Sequence, residues 1–236
     1  MKKFPKILVF LILTVFLCAG SAWATPTAIN NKWATDGTGP EFNLIDYESG
    51  HVSILDTLYG LDNLARIDDD LDQLWTSADG GSLVMAKFAG HSHSFGYVPE
   101  GGVFVPLYTN SLSYNGYITS GWVDFDTGGF DFAFSLKDLS TGSDWFSAQS
   151  DNADGLDHML TWLIEDDDCE DGCLHYVIAW EDLYGPLGNG SDRDFNDLVI
   201  EIKGVRPISE PATMLLLGAG FIALAAVGRN RFFKKP

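Results

Sequence analysis

The sequence predicts an all-β fold, an antiparallel β-sandwich or jelly roll, set between an N-terminal signal peptide and a C-terminal membrane-spanning sorting helix. Three observations predict it. Between the ends, apolar and polar residues alternate in short runs rich in aromatic and β-branched side chains. Turn-forming clusters such as Asp79-Gly80-Gly81, Asn115-Gly116 and Thr127-Gly128-Gly129 fall between the runs, the spacing of an antiparallel sandwich. Each end of the chain carries an uncharged apolar run bordered by basic residues.

At the N-terminus, Lys2, Lys3 and Lys6 precede the apolar stretch from Ile7 to Leu17, and Ala22-Trp23-Ala24 forms the small-x-small pattern that signal peptidase cuts. Residues 1–24 are therefore expected to leave, and the mature chain to begin at Thr25. Cys18 leaves with them, because bulky Leu17 stands where a lipoprotein site wants a small residue.

Residues 25–208 then form one exported domain, long enough for a sizeable core. Its candidate strands are Glu41 to Tyr47, Val52 to Leu58, Leu83 to Phe88, Phe95 to Val98, Val103 to Tyr108, Tyr117 to Asp124, Phe130 to Leu136, Met159 to Ile164, Leu174 to Trp180 and Asp197 to Lys203. Leu58 to Trp75 places leucines at mixed spacings of three and four and is rich in Asp, which reads as a short helix or a loop.

Of the 14 basic residues, three lie before Thr25 and four after Ile208; of the 33 acidic residues, only Glu210 lies outside that span. The exported domain thus sets 7 positive charges against 32 negative ones. Such a field repels nucleic acid and anionic lipid and favours cations or neutral sugars, while the many aromatics argue against disorder. Cys169 and Cys173 are the two cysteines left after maturation, and in an oxidising compartment so close a pair most simply closes a small disulfide loop.

The densest polar constellation comprises Glu181 and Asp182, a glycine-rich turn, then Asp192, Asp194, Asn196 and Asp197. Oxygen-bearing side chains at alternate positions on a loop loosened by Gly185, Gly188 and Gly190 are what a hard cation such as calcium requires. An EF-hand is excluded, since Asp197 stands where that loop needs glycine and Lys203 where it needs a bidentate acid. The alternative is that these carboxylates cap turns, with Arg193 pairing one of them. Asp151, Asn152, Asp154 and Asp157 form a second, weaker constellation of the same chemistry.

His91 and His93 would share one face of a strand and could seat zinc or copper, although with no cysteine or third histidine nearby an ordinary polar surface is the expected outcome. His158 stands beside Asp157 and is positioned to bond it. No nucleophile elbow is present, and 32 carboxylates single out no glycosidase pair, so the chain does not read as an enzyme. Trp122, Trp145 and Trp162 would offer stacking faces to a sugar if exposed, but tryptophans on strands more often belong to the core.

After the domain, Ser209-Glu210-Pro211 leads into the uncharged run 212–228, which Arg229, Arg231, Lys234 and Lys235 close. A helix over that run spans about 26 Å, enough to cross a bilayer, and the basic end stays cytoplasmic, placing the domain outside. This tail resembles the PEP-CTERM sorting signal of Gram-negative bacteria, with Ser209 in place of the first proline. The resemblance implies processing by an exosortase and residence at the cell envelope or in the extracellular matrix.

Trp180-Glu181-Asp182-Leu183-Tyr184, the glycine turn and Asp192-Arg193-Asp194-Phe195-Asn196-Asp197-Leu198-Val199 resemble the C-terminal signature of domain of unknown function 4114. The likeness extends from Leu83 to Lys203 and implies an exported β-rich domain with no activity to carry over. Together these readings describe a structural or adhesive surface protein stabilised by calcium. A module binding exopolysaccharide in a biofilm matrix is the alternative, and a glycoside hydrolase or esterase a lesser one.

Overall fold

The computed structural model describes residues 27–30, 32, 34–35, 41–46, 50–110, 116–118, 120–165, 174–188 and 190–208. Ala22 and Ala24 of the cleavage site, Cys169 and Cys173, and Ser209, Glu210, Pro211 and the run 212–228 lie outside the described residues. Among the described residues, no helix is long and apolar enough to cross a membrane.

The first strands, β1 (Ala34–Thr35), β2 (Glu41–Asn43) and β3 (Val52–Ser53), make a small sheet in that order. The strand expected over Val52 to Leu58 ends at once, because the Ser53 hydroxyl accepts from the Asp56 amide and starts a helix, α1 (Ile54–Tyr59). Leu58 to Trp75 is not a helix beyond a 3-10 turn at Leu61–Asn63; it supplies β4 (Leu64–Arg66), and Leu61 and Leu74 stay exposed.

The remaining strands are β5 (Trp75–Lys87), β6 (His93–Pro99), β7 (Val105–Asn110), β8 (Gly116–Tyr117), β9 (Val123–Phe125), β10 (Asp131–Asp138), β11 (Asp144–Phe146), β12 (Met159–Ile164), β13 (His175–Trp180) and β14 (Leu198–Pro207). Hydrogen bonds join β4 to β14 into one 11-stranded sheet in the order β4-β12-β13-β14-β5-β10-β6-β7, with β11 on β10 and β8 and β9 on β5. Every pairing in it is antiparallel.

Asp79-Gly80-Gly81, expected as a turn, lies inside β5 instead. The glycines serve close approach: a Cβ on Gly80 would sit 2.5 Å from the Phe125 ring, and one on Gly81 2.8 Å from Lys203 Cε. Strand β5 therefore runs unbroken and bonds β14 along one edge and β10 and β9 along the other.

The large sheet folds over on itself. Phe95 on β6 and Trp180 on β13 are four strands apart in sheet order, roughly 19 Å in a flat sheet at about 4.8 Å per strand. Their ring centroids are 6.2 Å apart. The enclosed core contains Trp75, Phe95, Phe132, Phe134, Trp145, Ile178 and Trp180. On the opposite face, Val177, Ala179 and Val199 pack against Leu44, Ile54 and Leu55 from the N-terminal sheet and α1. Strand β13 and the start of β14, Leu198 to Ile200, are thus covered on both faces, which is why these stretches run apolar with little alternation.

Candidate metal centre

Strands β13 and β14 pair with Trp180 opposite Leu198, so Glu181 to Asp197 form the loop of a single hairpin. Its base is tied twice: the Asp182 amide donates to the Asp197 carboxylate at 2.7 Å, and the Asp197 amide to the Trp180 carbonyl at 3.2 Å. At the far end, Gly190 has φ 119°, and a Cβ there would lie 2.6 Å from the Tyr184 carbonyl oxygen, so only glycine fits.

The descending arm carries unusual backbone. Arg193 and Phe195 both have φ 54°, a left-handed conformation that costs an L-residue about 1–2 kcal/mol. Burial holds them there. Phe195 is fully enclosed in the second core, the Arg193 guanidinium lies 4.6 Å over its ring, and Arg193 Nη1 donates to the Asp157 carbonyl at 2.6 Å. With these alternate side chains drawn inward, Asp192 and Asp194 converge on Glu181, one carboxylate oxygen of each lying within 4.8 Å of the others. A second triad under the same limit joins Glu181 to Asp182 and Asp197.

The other four carboxylates predicted as ligands therefore gather around Glu181, which is fully buried and whose Oε2 has no hydrogen-bond partner. Asn196 is fully buried too; its amide N–H donates to Asp194 Oδ1 at 3.3 Å, while its side-chain oxygen and nitrogen are both unpartnered. Burial, reinforced by Asp192 and Asp194, pushes the Glu181 carboxyl up to about 8. Burial and Asp192 push Asp194 up to about 7, and burial with Asp182, Glu181 and Asp194 holds Asp197 well above the usual carboxylate range. The concentrated negative charge thus opposes its own ionisation.

Several partners escaped the sequence reading because they come from remote segments. Lys32 pairs Asp192 Oδ2 at 2.5 Å on the rim, and Asn30 donates from its side chain to the Asp192 carbonyl at 2.8 Å and from its backbone to the Arg193 carbonyl at 2.9 Å. Lys87 is entirely buried, gives its ammonium to the Ala89 carbonyl at 2.7 Å, and feels the charges of Asp182, Asp197 and Asp138. No local spacing links these residues to the hairpin.

The hairpin lies within a recognised family. Residues 118–205 match the family described as Domain of unknown function (DUF4114), and residues 207–231 match the PEP-CTERM protein-sorting motif. The chain carries a DUF4114 domain and a PEP-CTERM sorting motif. The motif marks an exported protein sorted by an exosortase, in the manner of Gram-negative bacteria. No curated protein matches the chain. Among solved structures, a high-affinity mannose-binding lectin of Ralstonia solanacearum is similar at 12% identity and TM-score 0.35, over 56% of this chain and 94% of the lectin. The C-terminal domain of the BC2L-C lectin from Burkholderia cenocepacia is similar at 11% identity and TM-score 0.37, over 59% and 97%. Superposition this loose carries no conclusion about ligand.

Elsewhere in the DUF4114 domain, the weaker constellation is engaged with its own chain. Asn152 accepts from the Phe146 amide at 2.7 Å and donates to the Phe146 and Leu156 carbonyls. Asp154 bonds His158 Nε2, the Gly185 amide and the Leu156 amide, and Asp157 accepts from the Met159 amide and the Thr27 hydroxyl. Asp151 ends an exposed 3-10 turn. His158 therefore bonds Asp154 and the Glu181 carbonyl, not its neighbour Asp157. Trp145 and Trp162 are core residues, and Trp122, 37% exposed, lies under the Lys203 ammonium at 4.1 Å.

Proposed function

We propose that this exported, exosortase-sorted chain is a structural and adhesive component of the cell surface or extracellular matrix, in which calcium rigidifies the hairpin loop of the DUF4114 domain. The observation that carries the reading is the buried, unpartnered Glu181 Oε2 beside the Asp192 and Asp194 carboxylates. An unpaired buried oxygen of this kind is costly, and a cation satisfies it together with its neighbours.

Calcium fits better than magnesium. It accepts six to eight oxygens at about 2.3–2.6 Å in irregular geometry, whereas magnesium demands a near-ideal octahedron. Glu181, Asp192 and Asp194 would supply carboxylate oxygens, with Asn196 Oδ1 and the Ser191 hydroxyl in the same loop and water completing the shell. Asp182 and Asp197, the second triad, stand behind them. The cation's role is neutralisation: carboxylates that repel one another become joint ligands, and binding free energy adds to folding free energy. The folded-over sheet, a sandwich-like scaffold, then presents a stiffened loop without catalytic chemistry.

The test is thermal unfolding of the full chain in mild detergent, with calcium, with magnesium and with chelator. A midpoint raised by calcium but not magnesium, and lost in Asp194→Ala, is expected. No calcium shift would overturn the proposal and leave the carboxylates as turn caps.

A further inference from the structure

A further cluster shares only Asp182 with the hairpin triads and lies where three remote segments meet. His91 precedes β6, Asp138 ends β10, and Asp182 follows β13. His91 Nδ1 is 2.9 Å from Asp138 Oδ2 and 3.4 Å from Asp182 Oδ2, and one ligand atom from each of the three residues lies within 4.8 Å of the others. Two ligands of a tetrahedral zinc ion, each bound at about 2.1 Å, sit roughly 3.4 Å apart, so the spacing suits one small cation between them.

A protonated imidazole bridging two carboxylates would give similar distances, but it would aim its N–H along one of them. The His91 Nδ1 atom is inaccessible to solvent and makes a hydrogen bond of acceptable geometry to neither oxygen. Both carboxylates are held in place from behind. Asp138 Oδ1 accepts from the Ser140 amide at 2.8 Å and the Thr141 amide at 3.2 Å, and Oδ2 accepts from the Thr141 hydroxyl at 2.5 Å. His93 Nε2 lies 2.7 Å from Asp182 Oδ2, and the Asp182 carbonyl accepts from Trp145 Nε1 at 2.9 Å. Such outer contacts are the usual support of metal ligands.

We propose that His91, Asp138 and Asp182 form a second metal site, for a zinc-class cation and distinct from the Glu181, Asp192 and Asp194 triad. An imidazole nitrogen with two carboxylate oxygens is a donor set for borderline divalent metals, whereas calcium takes oxygen alone. The His91 side chain is 30% exposed although its Nδ1 is not, and those of Asp138 and Asp182 are buried, so the three donor atoms are enclosed just beneath the surface. Lys87 opposes part of the charge at a distance but makes no ion pair with either carboxylate among the described residues. The geometry does not depend on calcium being bound, although Asp182 also belongs to the second hairpin triad.

The experiment is calorimetric titration of zinc into the full chain in mild detergent and saturating calcium, with cobalt(II) in parallel as a visible absorption probe. One saturable site is expected. His91→Ala, a partly exposed position that folding tolerates, should weaken zinc binding by about tenfold or more and abolish the cobalt band, leaving the calcium-induced rise in unfolding midpoint unchanged. Asp138→Asn should weaken zinc in the same way. Asp194→Ala should lose the calcium response and keep zinc binding, so failure of either site is read separately. No saturable zinc binding, or the same affinity in His91→Ala, would overturn the proposal.

Discussion

The backbone amide of Asp182 donates to the side chain of Asp197, fifteen positions along the chain, at 2.7 Å, and this bond shuts the base of the acidic hairpin. Asp197 is buried, and burial with Asp182, Glu181 and Asp194 holds its carboxyl well above the usual range, which favours the neutral form. Replacing it with Ala strands a buried N–H, a loss of about 1–3 kcal/mol. Asp197→Asn keeps an acceptor oxygen and imitates the neutral form, so it should cost clearly less. Denaturant unfolding of both variants in chelator checks the order.

Stability of the metal-free chain should fall as pH rises above neutral. Glu181 at about 8, and Asp194 and Asp157 at about 7, hold protons in the folded state that the unfolded chain has released above its ordinary carboxylate values of 4.5 and 3.8. Their contribution is complete below those unfolded values and is lost as pH climbs through the folded ones. His158 acts in the opposite sense, since burial lowers its pKa below 6.5 and its neutral form favours the fold only above that. From pH 6.5 to 8.5 the three carboxylates dominate, and the remaining His158 contribution, of opposite sign, is complete by about one unit above 6.5. Each net unit costs about 1.4 kcal/mol, or roughly 3–6 °C in a domain of this size. Calcium should reverse the trend, its affinity rising with pH as it displaces those protons. Melting curves across the window, with and without calcium, decide it.

Trp145 stacks on His158 with ring centroids 3.8 Å apart and planes 9° from parallel, and its Nε1 donates to the Asp182 carbonyl. Trp145→Phe keeps an aromatic face but leaves that buried carbonyl without its donor. A loss of about 1–3 kcal/mol is expected, together with a weaker calcium response because the carbonyl belongs to a proposed ligand residue. Urea midpoints and calcium-dependent melting report the two effects.

Arg193 separates strain from attraction. Arg193→Ala and Arg193→Gly both remove the bond to the Asp157 carbonyl and the stacking over Phe195, but only glycine relieves the left-handed backbone. Arg193→Gly should therefore be less destabilising than Arg193→Ala, by up to about 1 kcal/mol once glycine's extra unfolded-state freedom is counted. Equal losses would show that the backbone at this position carries no strain.

Local signals were legible wherever the deciding interactions are local. Strand β12 has the bounds expected, Met159 to Ile164, and β13 and β14 differ by a few residues, because apolar runs bounded by turn residues are short-range patterns. The acidic hairpin was legible for the same reason, its carboxylates lying on one loop closed by adjacent strands. Elements decided by a single contact were misread. One hydroxyl, that of Ser53, turned an expected strand into α1, and the Gly80–Gly81 pair made room for Phe125 and Lys203 instead of turning the chain.

The sequence by itself determined the export signal pattern, the sorting tail, the β-rich class and the concentration of carboxylates between Trp180 and Leu198. Each is a matter of composition and near-neighbour spacing. Only the tertiary structure decided that Glu181 stands at the centre of the carboxylates, that Lys32 guards the rim, and that His91, Asp138 and Asp182 share one point. Those meetings come from strand register and from the folding-over of the large sheet, which bring together positions far apart in the chain by backbone hydrogen bonding and core burial. No linear spacing encodes them.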